Sequence, residues 1–117
     1  MNKLNGNCEC KEVSFEINQE IKYFSHCHCS QCRRCHGSAF ASFIEVEKSL
    51  FHYKSNTKKI KSYSSSEHCE RIFCKICGSN IMFFNKNKPE KYYVSVGTIN
   101  GNISLPEAHH VFVGSKA

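Results

Sequence analysis

The chain has 117 residues, 40% hydrophobic and 22% charged, a balance that suits one globular domain over 1–117 and excludes a disordered chain. Sixteen Lys and Arg against ten acids give a formal charge of +6, and because all ten acids are Glu, Asp-based Mg²⁺ or Ca²⁺ loops and a Ser-His-Asp triad are excluded. No apolar run approaches the roughly 20 residues that span a bilayer and no signal-like segment opens the chain, so a cytoplasmic protein without a membrane partner is expected.

In chain order, Val13, Phe15 and Ile17 alternate with polar neighbours, which is the period of a half-buried strand. A single helical turn is expected at Ser30 to Cys35. Ala39 to Val46 is rich in Phe and β-branched residues and reads as a strand, with Phe51 to Tyr53 continuing the same sheet after a turn. Ile60 to Ser64 is a weaker strand. Ile81 to Phe84 and Tyr92 to Val96 flank Asn85-Lys-Asn-Lys-Pro-Glu90, which predicts a hairpin with a long loop. Asn100-Gly101 marks a tight turn, and His110 to Val113 a last strand. The fold is therefore expected to be mainly β, with small sheets around a thin core that metal sites would staple.

Nine cysteines carry the chemistry. They fall as Cys8 and Cys10, then Cys27, Cys29, Cys32 and Cys35, then Cys69, Cys74 and Cys77. The count is odd, and partners one or two residues apart strain disulfide geometry. The same spacing turns paired thiolates toward one cation, so a reducing compartment and zinc are expected. Cys74-Lys-Ile-Cys77-Gly78 is half of a structural site, and Cys8-Glu-Cys10 is its natural partner from the other end of the chain. Cys27-His-Cys29-Ser-Gln-Cys32 supplies three ligands alone and leaves a fourth position open for water or substrate. Spacing alone does not fix the pairing between groups. It also leaves open that Cys35 closes a local four-thiolate, purely structural site.

Written out together, these groups resemble the glutathione-dependent formaldehyde-activating enzyme family. The resemblance rests on Gly6-Asn-Cys8-Glu-Cys10 with Val13-Ser-Phe15, on Cys27-His-Cys29-Ser-Gln-Cys32-Arg-Arg, on Gly37-Ser-Ala-Phe40, and on Phe73-Cys74-Lys-Ile-Cys77-Gly78-Ser79. Val96-Gly97 through Pro106 to His110-Val-Phe-Val113 extends it over nearly the whole chain. It implies an Mss4-like fold of several small coiled antiparallel sheets. It also implies that Cys8, Cys10, Cys74 and Cys77 are structural zinc ligands and that Cys27, Cys29 and Cys32 are catalytic zinc ligands. Lys11 stands where the family usually has Gly, Cys35 is an additional thiol, and the sequence, which has no Trp, stops at Ala117 where many relatives continue through a short segment containing Trp.

Three thiolates and Zn²⁺ carry a formal charge of 2 − 3 = −1 and still accept a ligand. The glutathione thiol, ordinarily ionising near about 8.5, would bind as thiolate and add to formaldehyde, giving S-(hydroxymethyl)glutathione; the reverse is carbon–sulfur lysis. Arg33 and Arg34, beside the cluster, could hold the tripeptide's carboxylates or simply balance thiolate charge. Cys69 reads as a buried hydrophobe and His28 as pointing away from the metal. His26, His36, His52, His68 and His109 have no distinguishing context, whereas His110 matches a family position. Lys54, Lys58, Lys59 and Lys61 with Tyr53 and Tyr63 could attract single-stranded nucleic acid, but Lys protecting an edge strand is the favoured meaning. The alternative to an enzyme is a non-catalytic zinc module that binds a protein or nucleic acid.

Overall fold

The computed structural model describes residues 3–117. Strands β1 (Leu4–Asn7), β2 (Ser14–Ile17) and β5 (Phe51–Tyr53) form a three-stranded sheet in the order β1-β2-β5. A second sheet of seven strands runs β10-β3-β4-β9-β8-β7-β6. Its members are β3 (Phe24–Cys27), β4 (Ala41–Glu47), β6 (Ile60–Ser64), β7 (Cys69–Cys74), β8 (Asn80–Asn85), β9 (Lys91–Ser95) and β10 (His109–Val111). Neighbours are antiparallel except β10, which lies parallel to β3. The mainly β, Mss4-like architecture implied by the resemblance is the one observed. Among the described residues no helix is long and apolar enough to cross a membrane.

Alternation explains β2. Val13, Phe15 and Ile17 are wholly buried, and Phe15 stacks on Phe51 across the small sheet at 4.9 Å between ring centroids. The expectation that Phe51 to Tyr53 continues the sheet of β4 is corrected, because β5 pairs with β2. The 3-10 turn Lys48–Leu50 redirects the chain, and the Leu50 carbonyl accepts from the Asn18 amide at 2.9 Å. The hairpin β8–β9 forms as predicted. The single helix, α1 (Ser30–His36), runs one residue past its expected end and stops at Gly37, whose left-handed backbone (φ 60°) suits a residue without Cβ. β10 is shorter than predicted, since Phe112 turns into the left-handed region at φ 57° and ends it.

Strands β1, β3 and β7 escaped the sequence reading. β1 is Leu-Asn-Gly-Asn, with a single apolar residue, and β3 and β7 carry buried Ser, Arg or Cys where alternation would show an aliphatic residue. The main core gathers Val13, Phe15, Ile17, Ile44, Val46, Ile81 and Val94 together with Cys8 and Cys74. A smaller cluster joins Cys27 and Cys32 to Ala41, Phe43 and Tyr93. Each group of cysteines thus anchors its buried members in its own apolar cluster, while Cys10 and Cys77 stay exposed. Strand β6 is the edge of the large sheet, and exposed Lys61 lies on it. This placement supports the edge-protection meaning of the lysine run.

Lys11 lies in the left-handed region at φ 68°, the conformation that Gly adopts freely. Its amide donates to the Cys8 carbonyl at 3.1 Å, closing the turn that carries both N-terminal cysteines. A side chain there costs about 1 kcal/mol, part of which Gly returns to the unfolded chain as entropy. Lys11→Gly is therefore expected to raise stability by about 0.5 kcal/mol, read as a higher urea midpoint of the metal-loaded protein. A lower midpoint would show that the Lys side chain does more than occupy a strained turn.

Candidate metal centre

The turn after β1 brings Cys8 and Cys10 to Cys74 at the end of β7 and Cys77 in the turn before β8. All four sulfurs lie within 4.8 Å of one another. Cys8 Sγ and Cys10 Sγ are 3.6 Å apart, and Cys10 Sγ and Cys74 Sγ 3.7 Å. A disulfide needs about 2.05 Å. Four sulfurs at about 2.3 Å from one tetrahedral zinc would stand about 3.8 Å apart, so the donor set fits zinc. Backbone amides complete the cradle: Val13 N–H donates to Cys8 Sγ at 3.3 Å and Ile76 N–H to Cys74 Sγ at 3.4 Å. Gly78, at φ 80°, lets its amide reach the Cys74 carbonyl at 2.8 Å. The Ser79 hydroxyl accepts from the Glu9 amide at 3.0 Å and ties the two halves together. It also contacts Cys77 Sγ at 3.1 Å and, as the chief cause, holds that thiol down to about 5.

The second group forms where β3 meets α1. Cys27 ends the strand, Cys29 caps the helix by accepting from the Cys32 amide at 3.3 Å, and Cys32 sits in the first turn. Their three sulfurs also lie within 4.8 Å of one another. Hydrogen bonding with Cys32 draws Cys27 below the usual thiol range, while the same contact and burial push Cys32 up. Cys35 does not join them: it is half-buried further along α1, and its carbonyl accepts from Asn80 Nδ2 at 3.2 Å.

Unlike the first group, this one opens on a cleft of about 520 Å³. Cys69, Arg71, Phe83, Asn85, Lys88, Tyr93 and Phe112 are among its walls, but Arg33 and Arg34 are not. The guanidinium that reaches the sulfurs belongs instead to Arg71 on β7, whose Nη1 donates to Cys32 Sγ at 3.4 Å. It comes from 39 positions away in the chain, which is why local reading of the sequence did not find it. Cys69, expected only as a packing residue, also lines the cleft. A larger cavity of about 680 Å³, near Lys3, Glu20 and Leu105, contains no cysteine or histidine.

His28, between two of the sulfurs in sequence, turns to β10, where its Nε2 meets His110 Nδ1 at 3.0 Å. Its amide also donates to the Val111 carbonyl at 2.9 Å. His26 pairs with Ser42 Oγ at 2.7 Å. These histidines fasten β10 beside the cysteine-bearing strand. His36, half-buried on α1, is lowered to about 4, chiefly by loss of solvent around its ring and further by the positive charge of Arg71.

Known proteins resemble this chain over most of its length. The family model described as glutathione-dependent formaldehyde-activating enzyme matches residues 3–115. An uncharacterised lyase of Schizosaccharomyces pombe is 34% identical over 101 residues, covering 86% of this chain and 72% of that protein. A Halomonas elongata protein, named a candidate glutathione-dependent formaldehyde-activating enzyme, is 27% identical over 97% of this chain and 76% of its own length. A Rhodobacter sphaeroides protein of known crystal structure shares the fold, with a TM-score of 0.71 and 24% identity over 84% of this chain and 89% of that one. With nearly its whole length matched, the chain belongs to the glutathione-dependent formaldehyde-activating enzyme family.

Proposed function

We propose that residues 1–117 act as one zinc-dependent carbon–sulfur lyase domain that joins glutathione, or a similar small thiol, to formaldehyde or a related small aldehyde. The observation that carries the reading is the contrast between two sulfur groups, one of four brought together from both ends of the chain, the other of three and facing a cleft. In this reading Cys8, Cys10, Cys74 and Cys77 hold a structural zinc, and Cys27, Cys29 and Cys32 hold a second. Zinc in such a three-thiolate site supplies the ionisation of an incoming thiol near neutral pH.

The chain's own residues do the binding and orientation. Phe83 and Tyr93, stacked at 4.6 Å, form an apolar wall beside the sulfurs. Ser66, Asn85 and Lys88 present hydroxyl, amide and ammonium groups to the polar ends of a tripeptide. Lys88, which lines the cleft, is the residue proposed here for carboxylate recognition, one of the two roles considered for Arg33 and Arg34. In the reaction the thiol gives up its S–H proton, a sulfur lone pair attacks the carbonyl carbon, and the C=O π bond breaks. The oxygen takes up one proton in balance, so that one C–S and one O–H bond replace one S–H and one C=O π bond. Holding thiol and aldehyde side by side accounts for the acceleration, because a metal softens the nucleophile as well as ionising it. Nine cysteines, none in a disulfide, suit a reducing, cytoplasmic setting.

Calorimetry on the zinc-loaded protein tests the reading. Glutathione is expected to bind at least about tenfold more tightly than S-methylglutathione, which has no thiol to ionise. Equal binding of the two overturns a metal–thiol mechanism. No binding of either excludes glutathione and leaves another small thiol or the non-catalytic zinc module.

A further inference from the structure

We propose that Arg71 is the counter-charge of the three-cysteine centre and sets its capacity for an anionic fourth ligand. The inference rests on the reading that Cys27, Cys29 and Cys32 hold zinc. Arg71 is only 6% exposed, and a guanidinium stays charged at any working pH. Among the described residues no carboxylate forms a salt bridge with it. A buried charge without an opposite charge is expensive, so its partner has to be found among what it touches. Nη1 touches Cys32 Sγ at 3.4 Å; Nε donates to Ser65 Oγ at 3.1 Å; the guanidinium lies over the Phe83 ring at 5.2 Å. Only the sulfur can carry negative charge. Ser65 and Phe83 hold the guanidinium in place for it.

The two centres then differ in kind. At the four-cysteine centre, at 2 − 4 = −2 with zinc, the neighbours are neutral amides and a hydroxyl. Such donors stabilise a full set of thiolates without changing its charge. At the three-cysteine centre, zinc and three thiolates give −1, and Arg71 brings the sum to zero. A fourth thiolate arriving from the cleft meets a neutral assembly in place of an anion. Arg71 is thus a positioning residue for Cys32 and a selectivity residue for anionic ligands.

Wild type, Arg71→Met and Arg71→Lys, loaded with Co²⁺, would be compared by chelator competition, following the sulfur-to-cobalt absorption band. The Cys29→Ser variant identifies which signal belongs to the three-cysteine centre. In Arg71→Met that centre should lose about tenfold or more in metal affinity, and its band should move to lower energy as the sulfur loses its N–H donor. Arg71→Lys should recover part of both effects, which a purely packing role would not produce. Glutathione affinity should fall in the order wild type, Lys, Met, while the four-cysteine centre is unchanged throughout. Equal weakening of both centres, or an unchanged three-cysteine centre in Arg71→Met, overturns the role of Arg71 alone. A wild type that holds a single Co²⁺, at the four-cysteine centre, sinks the two-zinc reading and this role with it.

Discussion

Cys74→Ser is expected to abolish the folded state, whereas Cys32→Ser leaves a folded protein with one metal fewer. Cys74 is completely buried in the main core, and its sulfur group joins the turn after β1 to the end of β7. Cys10 and Cys74 are 64 positions apart, so a metal held between them would close more than half of the chain into a loop. Zinc binding to a structural thiolate site is coupled to folding and can contribute about 10 kcal/mol. That is comparable with the whole stability of an ordinary domain, about 5–15 kcal/mol. A chain this thin in core cannot replace it.

Cys32 is also buried, but it belongs to the smaller cluster and its group lies within one strand–helix segment. Its loss opens no long loop. The Ser hydroxyl can still accept a hydrogen bond from Arg71, although the opposite charge of the Cys32 thiolate is lost. Metal counting with near-ultraviolet circular dichroism should give one zinc and a native spectrum for Cys32→Ser, and neither for Cys74→Ser. The opposite outcome would exchange the structural and open roles of the two groups.

What the sequence showed and what it hid follow from the range over which each signal acts. The two sulfur groups were legible because their pairs lie two or three residues apart, and Gly78 and Gly37 mark the adjoining turns. The strands β2, β4, β8 and β9 were legible because their faces alternate or their apolar runs are continuous. β7 was hidden for a reason tied to the chemistry. Its central Arg71 reads as a surface residue, and only the fold shows that its charge is turned inward onto Cys32. Arg33 and Arg34 attracted attention because they adjoin Cys32 in sequence, but a helix carries successive residues to different faces. β10 reached β3 through a parallel pairing that no local pattern announces, and His28 with His110 marks the seam.

Gly6→Ala is expected to cost about 3 kcal/mol or more, far beyond an ordinary strand substitution. Gly6 lies in β1 opposite Phe15, and a Cβ there would overlap Phe15 Cζ and stand only 2.7 Å from Phe15 Cε2 and from the Thr98 carbonyl oxygen. Neither neighbour can withdraw. Phe15 is wholly buried and stacked on Phe51, while Thr98 belongs to a 3-10 turn adjoining the bridge between Ile99 and Gly6 itself. The strand must therefore lift away from the sheet, and Cys8 and Cys10 follow β1 directly. The same substitution should thus weaken metal retention at the four-cysteine centre, although it touches no sulfur. Gly97→Ala is the control, because a Cβ there meets nothing within 4 Å and the backbone is not left-handed. Urea midpoints and chelator competition on the two variants separate the effects. If Gly6→Ala matches Gly97→Ala in both, β1 is free to shift and does not fix the position of Cys8 and Cys10. If stability and metal retention fall together, the close approach of β1 to Phe15 is what sets the N-terminal half of the four-cysteine centre.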